Sequence, residues 1–308
     1  MARSPKQYDI VIIGGGPAGL TAGMYTSRAR LKSLLIERGA VGGQIINAQW
    51  VENYPGFAEP VSGIDLTEAM HKQATGFGLE TLVAEVTGIK TKGKQKVVTT
   101  SQGDVTARAV IIASGSERQK LGVPGEAEYT GRGVSYCATC DGAFFRDKPV
   151  VVVGGGNAAL TEALELTKFA SKIVVIHRRN ELRATKILQE KALAEPNIEV
   201  MWDTVVDEIA GETFVERVKV HNVKTGKESV LEVSGVFMAV GFKPNTAFLK
   251  GVVDLDDIGT VVTGNRMETS APGIFAVGDV RSNSIRQVVA AAGDGAVAAI
   301  NAEKYITG

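Results

Sequence analysis

Residues Tyr8–Arg38 read YDIVIIGGGPAGLTAGMYTSRARLKSLLIER, and residues Lys148–Arg178 read KPVVVVGGGNAALTEALELTKFASKIVVIHR; the two stretches align without a gap. Each opens on a β-branched run of four, the pattern of a strand buried on both faces. Each continues through three glycines and a helix-like segment into a second apolar run, SLLIE or IVVIH. That is a β–α–β unit present twice, an internal repeat. The small residues divide the work. Gly14 and Gly154 permit the tight turn out of the strand. Gly16 and Gly156 let the backbone approach a pyrophosphate. Gly19 and Ala159 let the helix close on the strand, and the pyrophosphate then rests on the positive end of the helix dipole. A lone Gly-x-Gly-x-x-Gly is weak evidence, whereas two copies, each inside a full β–α–β pattern, predict two dinucleotide cradles.

The copies differ where the difference carries chemistry. At the end of the second strand the first copy has Glu37, and a carboxylate there hydrogen-bonds ribose hydroxyls and repels a phosphate. The second copy has His177 at the matching position, followed by Arg178, Arg179 and, four further on, Arg183. Guanidinium groups suit bidentate phosphate binding. The first cradle is therefore expected to take an unphosphorylated ADP moiety, as in FAD, and the second the 2′-phosphate of NADPH.

Near the C-terminus, GIFAVGD (Gly273–Asp279) reads as a strand ending in a turn, with Asp279 placed to accept a hydrogen bond from a ribityl hydroxyl. An alanine-rich helix is expected from about Arg286 to Asn301, its first amides, of Arg286 and Gln287, favouring negative charge on a reduced flavin. FAD-type segments thus lie at both ends of the chain and the NADPH-type copy between them. The expected fold is α/β, two Rossmann-like three-layer domains with the NADPH domain inserted into the FAD domain. The boundaries are drawn at 1–117, 118–245 and 246–308, with VIIASGSE (Val110–Glu117) leading out and VFMAVGFKPN (Val236–Asn245) leading back.

Composition narrows the class. Lys plus Arg and Asp plus Glu are equal at 34 each, so no net basic field exists to hold a nucleic acid or an anionic membrane. No apolar run approaches the roughly 18 residues of a membrane span, and IVII after a polar start is too short for a signal-peptide core. A cytoplasmic protein is expected. Its only two cysteines are Cys137 and Cys140, in VSYCATCDGAFF. A structural zinc site needs four ligands, yet there is no second cysteine pair, and His71, His177 and His221 have no finger-like spacing. An inert bridge does not suit the cytosol. A redox disulfide remains: two intervening residues at a helix start close a small reversible ring. Asp141 follows at once, either as a turn or cap residue or, if partly buried, as a proton donor to a departing thiolate.

With these motifs in hand, the chain resembles the low-molecular-weight bacterial type of thioredoxin reductase from about Tyr8 to Tyr305. GGGPAG, GGQ (Gly42–Gln44), ENYPG, CATCD, GGGNAA, HRRxxxR, GFKPNT and VGDV…RQV occur in that family's order and spacing, and CATCD together with HRRxxxR is highly specific. The resemblance implies that Cys140 faces the flavin and forms the charge-transfer thiolate, that Cys137 attacks the thioredoxin disulfide, and that Asp141 is the acid and base. It implies FAD lined by Gly14, Gly16, Gly19, Glu37, Gln44, Asn53, Asp279 and Gln287. It implies NADPH held by Gly154, Gly156, Asn157, Arg178, Arg179 and Arg183 beside His177. It further implies a homodimer and a rotation of the inserted domain, because nicotinamide and disulfide must each meet the same flavin. Related readings fit less well. Peroxiredoxin-reducing flavoproteins carry an extra thioredoxin-like region, dithiol oxidases need no HRRNELR, ferredoxin-NADP reductases of this fold lack the cysteine pair, and a nucleotide sensor has no use for it.

Overall fold

A computed structural model describes residues 6–48 and 50–308. The chain forms two compact units. One contains the chain up to Glu117 together with Lys243–Gly308, and the other is Arg118–Phe242.

The first unit is built on β1 (Lys6–Ile13), α1 (Pro17–Arg28) and β2 (Ser33–Glu37), followed by α2 (Gly63–Gly76), β3 (Glu80–Val83), β4 (Val86–Lys92), β5 (Gln95–Thr100) and β6 (Val105–Ile112). The sheet runs β3-β2-β1-β6-β5-β4. β3, β2, β1 and β6 are parallel, while β5 and β4 fold back antiparallel. β5 pairs with the first half of β6, Lys96 opposite Ala107 to Val98 opposite Val105. A late strand, Ile274–Ala276, takes the second half in parallel, Ile274 opposite Val110 to Ala276 opposite Ile112. Alternation in β1 divides the core in two. Ile10 and Ile12 pack with Leu20 and Ala22 of α1 and with Ala298 and Ala302 near the C-terminus. Tyr8, Val11 and Ile13 pack on the other side with Ile89 of β4, Val98 of β5 and Val280. The C-terminal helix is Val288–Thr307. It starts two residues later than the expected Arg286, whose φ of 54° is left-handed and closes off the helix on that side.

Two short crossings, β7 (Ser116–Arg118) and Phe242–Pro244, pair as a two-stranded ribbon. They are shorter than the runs that suggested them, because Val110–Ile112 belongs to β6 and Val236–Met238 to the second unit's sheet. Asn245 belongs with the first unit. Its Nδ2 donates to the Ser114 carbonyl at 2.9 Å, and its carbonyl accepts from Ser114 Oγ at 2.9 Å.

The second unit repeats the plan. It contains β8 (Val134–Ser135), a short helix α3 (Ala138–Asp141), β9 (Pro149–Val153), α4 (Asn157–Leu166), β10 (Lys172–Ile176), α5 (Lys186–Ala194) and β11 (Ile198–Met201). An antiparallel ribbon follows, β12 (Thr204–Gly211), β13 (Val215–Asn222) and β14 (Glu228–Glu232), and then β15 (Gly235–Met238). The five-stranded sheet, β11-β10-β9-β15-β8, is parallel throughout. Val150 and Val152 face α4 and α5, while Val151 and Val153 face Val206, Ile209, Val218 and Val220 of the ribbon. The second unit is therefore three layers, helices, a parallel sheet and an antiparallel ribbon, while in the first the antiparallel β5 and β4 continue the parallel sheet. The later crossing, Phe242–Pro244, is β16, and Ile274–Ala276 is β17; the C-terminal helix is α6.

Candidate functional site

The two glycine turns are superimposable in their bonding. Gly14 N donates to the Ile36 carbonyl at 2.8 Å and Gly154 N to the Ile176 carbonyl at 3.0 Å, tying each turn to the end of the neighbouring strand. Gly14 has φ 110°, and a β-carbon there would sit 2.2 Å from the Ala113 carbonyl oxygen; at Gly154 the same atom would meet the Ala239 carbonyl oxygen at 2.5 Å. Only glycine fits at either place. A β-carbon at Gly19 would lie 1.9 Å from the Gly14 carbonyl oxygen, which is how closely α1 approaches β1. A β-carbon at Gly156 would meet nothing within 4 Å, so the face above the start of α4 is open to a pyrophosphate.

In the first cradle the Glu37 carboxylate accepts from Gly15 N at 2.7 Å and from Gly39 N at 3.1 Å, which fixes it at the end of β2. The Gly42–Gln44 segment approaches the same turn: Gly42 N donates to the Gly15 carbonyl at 2.9 Å, and exposed Gln44 lies in a 3-10 turn spanning Gly43–Asn47. Asn53 and Gln287 are far apart in sequence but adjacent here, with Asn53 Nδ2 donating to Gln287 Oε1 at 3.1 Å. Gln287 caps α6. Asp279 sits in the turn after β17 and accepts from Ser284 Oγ at 3.4 Å. That turn is held by Asp294 of α6, which the sequence did not single out. Asp294 is 8% exposed, accepts from Gly278 N at 3.0 Å, and binds the Arg281 guanidinium through Nε at 2.6 Å and Nη2 at 2.9 Å. The donor and acceptor set, and the fixed carboxylate above all, fits an unphosphorylated adenosine with a flavin beyond it.

In the second cradle Asn157 Oδ1 accepts from Thr185 N at 2.8 Å, and Arg183 N donates to the Gly155 carbonyl at 2.7 Å, folding the arginine loop back onto the glycine turn. Arg178, Arg179 and Arg183 are exposed, and no carboxylate pairs with any of them among the described residues. Unpaired guanidinium groups beside an open pyrophosphate seat suit a phosphorylated ribose. His177 lies beneath this surface. It is 4% exposed, packs against Gly155, and shares a 2.9 Å hydrogen bond through Nε2 with the Glu181 carbonyl. Burial and the three arginines hold its pKa below the ordinary value, against the opposing pull of that carbonyl. It is a neutral support for the arginine loop.

Cys137 and Cys140 are joined as a disulfide with their α-carbons 5.3 Å apart. Cys137 is the N-cap of α3, and the Cys140 and Asp141 amides donate back to its carbonyl at 3.2 and 3.1 Å. The Asp141 carboxylate is anchored from behind: Ser135 Oγ donates to its Oδ2 at 2.6 Å and accepts from Cys137 N at 3.1 Å. Ser135, 4% exposed on β8, thus ties the first cysteine to the acid. Its place two residues before Cys137 is the spacing of a local serine turn, a signal present in the sequence. His71 lies by the Thr81 hydroxyl at 3.4 Å, and His221 bonds Asp207 at 2.7 Å. Among the described residues no group of three or more His, Cys, Asp or Glu is arranged to hold a metal.

A reactive disulfide and two dinucleotide cradles on parallel sheets define a nicotinamide-dependent disulfide oxidoreductase. The sequence pattern of the pyridine nucleotide-disulphide oxidoreductase family matches residues 8–295, and the chain belongs to that family. Relatives matched over nearly their whole length include thioredoxin reductases. One from Listeria monocytogenes is 47% identical over 99% of this chain and 96% of its own length. One from Treponema pallidum is 48% identical over 97% of each chain. The crystal structure of the thioredoxin reductase from Streptococcus pyogenes, 46% identical, superposes with a TM-score of 0.94 over 98% of this chain and 99% of its own. The expected family, the α/β two-domain fold and the use of FAD and NADPH, the cofactors of thioredoxin reductases of this family, are borne out.

Proposed function

We propose that this chain reduces the disulfide of a thioredoxin with electrons from NADPH. The observation that carries this reading is the Cys137–Cys140 disulfide at a helix start with Asp141 hydrogen-bonded behind it. FAD, in the cradle of Gly14, Gly16, Gly19, Glu37, Gln44, Asn53, Asp279 and Gln287, and NADPH, in that of Gly154, Gly156, Asn157, His177, Arg178, Arg179 and Arg183, supply the hydride and the electron pair. The units then have distinct duties, the chain up to Glu117 with Lys243–Gly308 for FAD and Arg118–Phe242 for NADPH and the disulfide. With two electrons the Cys137–Cys140 bond breaks, and Asp141 gives a proton to the departing thiolate. The Cys137 thiolate attacks the substrate disulfide, and Cys140 displaces the reduced product from the mixed disulfide.

Anaerobic titration with NADPH tests the reading. Two equivalents per subunit are expected before flavin absorbance is fully bleached, because disulfide and flavin share the electrons. One equivalent that is unchanged after pre-oxidation of the thiols would exclude it.

The second unit carries both the NADPH cradle and the cysteines, so each must reach the same flavin at a different moment. A rotation about the two three-residue crossings supports this alternation. An engineered crosslink between the units is expected to stop turnover while sparing one half-reaction; full turnover in the locked protein would contradict the rotation. A homodimer is part of the same reading. Val289, Val297 and Ile300 leave an exposed apolar stripe on α6, the kind of surface a second subunit covers. A cytoplasmic setting suits a chain with no cysteines beyond the reactive pair. No helix among the described residues is long and apolar enough to cross a membrane.

A further inference from the structure

One half-buried acid in the second unit has no part in the chemistry above. Glu162 lies on α4, four residues before Leu166 and three after Ala159. It therefore shares the face on which Ala159, Ala163 and Leu166 join Ala138 and Phe145 in one apolar cluster. This face meets the cysteine helix closely: a β-carbon at Gly142 would touch the Phe169 ring at 3.0 Å and Leu166 at 3.4 Å. The Glu162 Oε2 is enclosed and has no hydrogen-bond partner. An ionised carboxylate is costly in such a place. The charged groups that act on it are Arg118, whose guanidinium also lies 5.3 Å over the Tyr136 ring, and Asp141. Once the disulfide opens, a cysteine thiolate joins this cluster.

Resting on the reading above, we propose that Glu162 is a positioning residue of the disulfide site: its carboxyl, enclosed without a partner on the face of α4 that meets the cysteine helix, opposes by its charge the thiolate formed when Cys137–Cys140 opens. Burial pushes the Glu162 carboxyl up to about 7, with Arg118 drawing it down and Asp141 adding to the rise. Below that pH Glu162 adds no charge beside Arg118 and Asp141. Above it a second carboxylate faces Asp141. Like charges disfavour each other, so a new thiolate nearby is disfavoured. The step itself balances without a further reactant. Two electrons, which FAD would supply, turn the S–S bond into two thiolates, and a proton held at Asp141 passes to one of them.

The test compares wild type with Glu162→Gln as FAD-loaded holoenzymes. Each is equilibrated with a small-molecule dithiol/disulfide couple from pH 6 to pH 8.5, alkylated, and the modified cysteines are counted by mass. Cys137 and Cys140 are the only cysteines, so the count reports this disulfide alone. The two proteins should coincide at pH 6 and separate through pH 7. By pH 8.5 the wild-type disulfide should be harder to reduce by on the order of tenfold in the equilibrium constant. Coincident curves, or an offset that is the same at every pH, would overturn the proposal. So would a raised KM for NADPH with unchanged curves, since that would place Glu162 at the nicotinamide. If the variant does not fold, wild-type protein carrying isotope-labelled glutamate decides the matter. Its disulfide form should lose one protonated-glutamate infrared band between pH 6 and pH 8, and no such loss would overturn the proposal. Should NADPH fail to reduce the wild-type disulfide at all, the underlying reductase reading falls; normal NADPH-driven reduction with coincident curves removes only the role of Glu162.

Discussion

Cys140→Ser is expected to abolish turnover with a thioredoxin disulfide, a loss of about a thousandfold or more, while NADPH still bleaches the flavin. The reason is electronic rather than structural. Without a second sulfur there is no disulfide to accept the pair from the flavin and no thiolate to resolve the mixed disulfide. The titration should fall from two equivalents to one, a signature that a misfolded protein would not give. Little of the fold should be lost, because the cysteine helix is held by Ser135, by Phe145 packed edge-on to Phe237 at 5.1 Å, and by the close approach of Gly142 to α4. Retention of turnover in Cys140→Ser would remove the cysteine pair from the mechanism and with it the proposed function.

The second large effect is on the choice of nicotinamide cofactor. Removing the guanidinium of Arg178, Arg179 or Arg183 should raise KM for NADPH by about tenfold to a hundredfold at each position that grips the 2′-phosphate, since a charge-assisted hydrogen bond contributes about 1.5–3 kcal/mol. KM for NADH should barely move, so the ratio of the two kcat/KM values is the measurement. All three side chains are exposed and lack ion-pair partners among the described residues, so their loss should not destabilise the unit. An equal loss with both cofactors would mean that the arginines hold the loop rather than the phosphate. His177→Ala should behave in that second way, because the imidazole packs beneath Gly155 and supports the turn from below.

The parallel strands and first helices of both units were legible, because glycine turns after β-branched runs leave the backbone little choice. The antiparallel strands were not. β4, β5 and the ribbon β12–β14 alternate imperfectly, with bulges at Val86/Gly88 and Val206/Glu208 that break the period of two. The arginine loop could be placed by its alignment with Glu37, but the burial of His177 beneath it depends on tertiary packing. Asp141 was legible from its neighbour, whereas Ser135 and Glu162 were not, for different reasons. A serine hydroxyl has many local partners, and only the fold shows that this one spans Cys137 and Asp141. Glu162 carried a signal, a carboxylate among alanines and leucines on the buried side of a helix. Only the packing of α4 against the cysteine helix gives that signal a meaning.

The late strand β17 has a consequence for how the molecule is made. The second half of β6 finds its neighbour only when Ile274–Ala276 arrives, and Ala298, Ala302 and Ile306 of α6 complete the core that Ile10 and Ile12 begin. During synthesis the second unit, Arg118–Phe242, emerges whole while the first still lacks a strand and a helix. The part that is interrupted in sequence is therefore the last to close, and until Ile274–Ala276 leaves the ribosome the second half of the β6 edge stands open to wrong partners.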